Sequence, residues 1–125
     1  MGATPKDGPS AGTSLFAALS SVATGKKVAA NLAMTGEITT HGEVISIGGV
    51  REKLTACKNH QITRVILPLS NKKNVKKLPE EFKKGFTIFY CTNTDQLYNI
   101  CFNTDPNHSN YDHLRDLGVE IEVFE

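Results

Sequence analysis

Two short segments hold residues whose types and surroundings suit acyl-transfer chemistry. The first is Asp7-Gly8-Pro9-Ser10-Ala11-Gly12, which sets a serine among turn-forming residues at the start of a predicted helix. Small neighbours leave a hydroxyl accessible, and the free N–H groups of a helix N-terminus can hold an oxyanion. The same placement suits an ordinary N-cap or an anion-binding loop, and spacing alone does not choose between them. The letters match G-x-S-x-G, but Pro5 and the loop-like start leave no strand directly before the serine, as a hydrolase elbow requires. The second segment is Gly48-Gly49-Val50-Arg51-Glu52-Lys53. Lys53 falls in the first turns of a predicted helix, where the dipole disfavours an ammonium, and burial would favour the neutral amine further. A neutral lysine can replace histidine as the base for a serine, although an exposed helix lysine is the commonplace alternative. No histidine has a comparable setting: His41 is in a turn, His60 ends a helix, and His108 and His113 lie in a polar tail. If Ser10 is a nucleophile, Lys53 is its better partner.

The elements that must position these residues follow from periodicity. Leu15, Phe16, Leu19, Val22 and Ala23 repeat at helical spacing, which predicts a helix from Ala11 to Thr24 with Ser10 at its N-cap and Gly25 as its stop. Leu32–Thr40, a turn at His41-Gly42, and Val44–Ile47 read as a β-hairpin. Gly48-Gly49 then opens a helix with Val50, Leu54 and Cys57 on its apolar face. TRVILPL reads as a short buried strand of the parallel-sheet kind. A basic helix or turn is expected at Asn71–Lys77, a strand at Phe86–Cys91, and a helix at Asp95–Phe102 that packs Leu97, Ile100 and Phe102. Residues 103–113 are polar and read as a linker to Val119, Ile121 and Val123, which alternate with Glu120 and Glu122 as a candidate edge strand. This alternation predicts an α/β or α+β sandwich.

Composition narrows the function classes. The chain has 125 residues, enough for one domain, and 39% hydrophobic residues. Its net charge of +1 argues against a generic nucleic-acid binder. The Lys-rich run NKKNVKKLPEEFKK is broken by Pro79, Glu80 and Glu81 and reads as a solvated face. No apolar run reaches the roughly 20 residues of a membrane span. Cys57, Cys91 and Cys101 form no CxxC pair and, with the histidines, no metal-ligand cluster; free thiols in a reducing, intracellular compartment are expected. No targeting pattern is read at the N-terminus, and Lys6 stands where a myristoylation motif wants Ser or Thr.

Three segments in register carry a resemblance. ATPKDGPSAG at residues 3–12, LAMTGEIT at 32–39 and IGGVREK at 47–53 closely resemble the proteolytic domain of Lon proteases, and the likeness continues through VILPLSNKKN to about Phe102. The PKDGPSAG form is similar to the bacterial and mitochondrial branch. The resemblance implies the Lon proteolytic-domain fold, similar to ribosomal protein S5 domain 2, over residues 1–102, with 103–125 a polar linker and edge strand. It implies a Ser-Lys dyad in which Ser10 is the nucleophile and Lys53 the general base. Thr35 matches a residue that hydrogen-bonds near the lysine, and Asp7 an acidic residue whose contact with the lysine is associated with inactive forms. It further implies unfolded protein substrates, a hexamer, and no cofactor in this chain, with ATP and magnesium used by a separate ATPase module. No Walker A sequence occurs here.

The departures from the family pattern are also expectations. Family members begin several strands earlier, so the resemblance implies an N-terminally truncated version, and residues 103–125, with no counterpart, are expected to cover the sheet edge thereby left open. Ser46 stands where relatives usually have Pro, and His41 where they often have Arg or Lys. A rival to the serine endopeptidase is a non-catalytic Lon-like module that binds a partner; a basic nucleic-acid binder rests on the lysine run alone. Bacterial cytoplasm and mitochondrial matrix both fit.

Overall fold

The computed structural model describes residues 7–46, 48–105 and 110–125, with side chains from residue 12 onward. In chain order its elements are α1 (Asp7–Thr24), β1 (Leu32–Met34), β2 (Glu37–Ile38), β3 (Val44–Ile45), α2 (Val50–Asn59), β4 (Arg64–Pro68), α3 (Lys72–Lys76), α4 (Glu80–Lys83), β5 (Thr87–Cys91), α5 (Thr94–Phe102), α6 (Asp112–Arg115) and β6 (Glu120–Val123). The main sheet runs β1-β4-β5-β6. Its first three strands are parallel and β6 is antiparallel to β5, while β2 and β3 form a separate antiparallel pair.

Strand alternation sorts the core into two layers. Met34, Ile66, Phe89 and Cys91 meet Ala17 of α1 and Leu97, Ile100 and Cys101 of α5. Val65, Leu67, Ile88 and Tyr90 meet Val50, Leu54 and Cys57 of α2 and Val75 of α3. The helices therefore cover both faces, as a buried parallel sheet demands, and all of β4 is buried. The entry to β1 is fixed by Asn31, which exchanges two 2.8 Å hydrogen bonds with Thr63, and by the buried Arg64, whose Nη2 donates to the Ala30 carbonyl at 2.7 Å.

Four sequence expectations change. The first helix begins at Asp7, so Ser10 lies inside its first turns and is not its N-cap. The core-facing side of α1 is also not the stripe of large residues. Leu15, Leu19 and Val22 are 57%, 61% and 84% exposed, while Thr13 and Ala17 face inward. Of the large residues only Phe16 packs against the core; periodicity predicts a helix but does not say which side docks, and close backbone approach at Gly12 favours the side that carries Thr13 and Ala17. The expected hairpin is split at Gly36, whose φ of 146° breaks the strand; residues 32–34 join the main sheet and only 37–38 pair with 44–45.

The segment after residue 103 is the fourth change. Tyr111, Leu114 and Val119 belong to the core. Tyr111 meets Phe89 edge-on, with ring centroids 5.1 Å apart. Gln96 fastens this segment to α5: its Oε1 accepts from the Thr92 N–H at 2.7 Å and its Nε2 donates to the Leu117 carbonyl at 2.8 Å. The strand that follows covers the β5 edge, not the β1 edge. Its acidic face is used, since Tyr90 donates its hydroxyl to Glu122 at 2.6 Å and Lys72 pairs with Glu120 at 2.6 Å. Burial, then that carboxylate, pushes the Tyr90 phenol up from its ordinary value. Among the described residues no helix is long and apolar enough to cross a membrane, and no group of His, Cys, Asp or Glu could hold a metal.

Candidate active site

The start of α1 is held against the break after β1 by glycines. A Cβ placed on Gly12 would stand 3.1 Å from the Gly36 oxygen, 3.2 Å from the Ile38 nitrogen and 3.3 Å from the Glu37 Cα. These are backbone atoms with little room to yield, so the helix can approach this closely only with hydrogen at position 12. Thr13 completes the joint. Its N–H donates to the Gly36 oxygen at 3.2 Å, and its side chain is fully buried, with no partner for Oγ1 among the described residues. Gly36 is equally confined, because a Cβ there would lie 3.0 Å from Pro68 Cγ and 3.2 Å from Thr13 Cγ2.

Thr35 sits at this joint. It directly follows β1, is buried, and extends the ladder by donating its N–H to the Ile66 oxygen at 3.2 Å. Its neighbours are therefore the end of an edge strand on one side and the docked α1 segment on the other. Ser10 and Asp7 lie in the first turns of α1, and their side chains are outside the described residues.

Lys53 comes from the opposite face of the sheet. Gly49, at φ 75° and ψ 29°, turns the chain into α2 without a side-chain cap. The Lys53 N–H makes the first i→i−4 bond, to the Gly49 oxygen at 2.9 Å. This start follows from the Gly48-Gly49 pair, since the left-handed region costs glycine nothing. Lys53 is half-buried, which is less than full enclosure. Among the described residues it has no ion pair, and no hydrogen bond joins it to Thr35. Cys57 lies one turn on; burial pushes that thiol up, and the Lys53 charge pulls it part of the way back.

The three cysteines are free and buried. Burial pushes Cys91 and Cys101 up to about 12, with the Cys101 charge adding to the effect on Cys91. They are packing groups with no nucleophilic role near neutral pH. The Gly12, Thr13 and Gly36 joint was not legible beforehand, because a glycine against distant backbone leaves no periodic signal.

Comparison with known proteins shows similarity over most of the chain. The model of the Lon protease (S16) C-terminal proteolytic domain matches residues 1–104. The mitochondrial Lon protease homolog of Drosophila melanogaster is 44% identical over 101 residues, covering 81% of this chain and 10% of the relative. Lon protease 2 of Borreliella burgdorferi is 45% identical over 97 residues, 78% of this chain and 12% of the relative. The Lon protease of Flavobacterium johnsoniae is 44% identical over 109 residues, 87% of this chain and 13% of the relative. The chain thus spans only a small part of the curated relatives it matches.

Proposed function

Because this chain belongs to the Lon protease family through its C-terminal proteolytic domain, we propose that it supplies a Ser-Lys peptidase site. Ser10 is the nucleophile and Lys53 the general base. Thr35 orients the lysine amine, and Asp7 is the carboxylate that restrains it in the resting site. The observation that carries this reading is the Gly12–Thr13 joint, which holds the serine-bearing turn against the segment that begins with Thr35. Helices on opposite faces of a sheet can share a site only around its edge, and β1 is an edge strand. A base free of ion pairs among the described residues fits the chemistry, because a salt-bridged ammonium cannot accept a proton.

In the proposed reaction, neutral Lys53 takes the Ser10 hydroxyl proton as Oγ attacks the scissile carbonyl. Backbone N–H groups at the start of α1 stabilise the oxyanion, and a pair of such donors contributes several kcal/mol, about 3–4 for each donor in measured cases. The Lys53 ammonium then returns the proton to the departing amine, leaving an acyl ester on Ser10. Water, deprotonated by the same amine, releases the acid and restores the serine. The substrates are unfolded proteins, and the working assembly is a homo-oligomer, a hexamer, served by an ATPase module that uses ATP and magnesium.

The test is cleavage of an unstructured, casein-like protein by the chain and by its Ser10→Ala variant. Loss of cleavage in the variant supports the reading, and retained cleavage overturns it.

A further inference from the structure

A second surface feature lies at the other end of the sheet from Thr35. The segments entering β4 and β5 enclose a groove of about 260 Å³. Its apolar wall is formed by Ile62, half-buried, and Phe86, buried, and it passes over Gly85, above which a Cβ would meet nothing within 4 Å. Lys58 and Lys84 stand on its two sides, both exposed. The Lys58 ammonium lies over two rings, 4.4 Å from the centroid of Phe82 and 6.0 Å from that of Phe86. Among the described residues neither lysine has a carboxylate partner. Lys84 also borders a separate cavity lined by Glu80, Glu81 and Glu125, so Lys58 is the cleaner source of unbalanced positive charge.

We propose that this groove docks an acidic peptide segment of a partner protein that carries a large apolar side chain. The side chain lies against Ile62 and Phe86, and flanking carboxylates reach Lys58 and Lys84. Charge complementarity selects the acidic flanks, and the cation–π contacts pre-place the Lys58 ammonium beside the apolar wall. Size favours a single anchoring side chain, because the volume falls short of the roughly 300–1,000 Å³ typical of pockets that enclose small molecules. The exposed rim also leaves most of a free small molecule in water, whereas a peptide extends over it on both sides. This inference does not depend on the peptidase reading, since the groove and Thr35 lie at opposite ends of the strands.

The test is a titration of the isotope-labelled chain with a capped peptide, Asp-Glu-Leu-Phe-Asp-Glu, followed by NMR. The expected result is shift changes confined to residues 58–63 and 84–86, with affinity reduced by about tenfold in Lys58→Glu and falling as salt is raised. Replacing Leu-Phe in the peptide by Ser-Ser should abolish binding. Lys84→Glu carries the same expectation should the Lys58 variant lose its fold. Absence of binding at millimolar peptide, shifts centred elsewhere, unchanged affinity in the folded variant, or equal binding of a peptide with lysines for acids would each overturn the proposal.

Discussion

Gly12 and Gly36 approach so closely that one added methyl group on Gly12 would lie 3.1 Å from the Gly36 carbonyl oxygen. That contact joins the serine-bearing turn of α1 to the residue following Thr35. Gly12, like Gly36, is a tightly confined point of the candidate site.

Gly12→Ala gains up to about 1 kcal/mol of helix propensity, but overpacking against rigid backbone costs about 1–3 kcal/mol. The net expectation is a less stable protein with a displaced α1 turn. Urea unfolding should show a lower midpoint, and labelling of Ser10 should fall together with it. A higher midpoint with unchanged labelling would mean that α1 shifts freely.

Thr13→Val should act in the opposite direction. The buried hydroxyl has no partner among the described residues, and such a group costs about 1–3 kcal/mol. Valine keeps the shape and removes the hydroxyl, so thermal unfolding should move upward. Thr13→Ala leaves a void at the same place and should move it downward. An unstable Thr13→Val variant would show that the hydroxyl has an essential partner.

The segment beyond residue 104, where the family match ends, should prove integral to folding. Tyr111→Ala empties a core position against Phe89 and should cost about 3–5 kcal/mol, by analogy with other aromatic truncations. Gln96→Leu deprives the Thr92 N–H and the Leu117 carbonyl of their partner and should cost about 1 kcal/mol for each hydrogen bond lost. Denaturant melts of the two variants test this, and wild-type stability in both would make the segment a passive tail.

Much of this architecture was legible in the sequence. Within TRVILPL, Arg64–Pro68 forms a fully buried strand parallel to both neighbours, the environment that a short apolar run between helices suits. The helices at 50–59 and 94–102 appeared with the expected apolar faces, since Val50, Leu54, Cys57, Leu97 and Ile100 point into cores on two sides of the sheet. What escaped depended on long-range contact. The polar stretch after Phe102 concealed Tyr111, whose place depends on Phe89 far back in the chain. Leu15, Leu19 and Val22 of the α1 stripe faced outward because Gly12 and Thr13 took the inner side. Of the proposed site, Ser10 and Lys53 were singled out by motif, while the joint that holds the serine turn left no signal in the sequence.

Alkaline pH should weaken the fold through the buried thiols. Cys91 and Cys101 are pushed up to about 12 from an ordinary 9.0, so the unfolded chain loses these protons first. The stability they contribute is complete below about pH 9 and is lost as pH rises from 9 towards 12, by about 1.4 kcal/mol per unit for each thiol. Thiol-reactive dyes at pH 8 should leave both cysteines unmodified until denaturant is added. Rapid modification of the folded chain would contradict their burial.

The central claim is that Ser10 and Lys53 form one catalytic unit. Its most direct measurement is labelling of the chain by a serine-directed fluorophosphonate, with the adduct mapped by mass spectrometry in the parent and in Lys53→Ala. The account predicts an adduct on Ser10 that disappears in the variant. An unlabelled Ser10 in the folded chain, or labelling that survives the loss of Lys53, would contradict it and leave a Lon-like module without a working dyad.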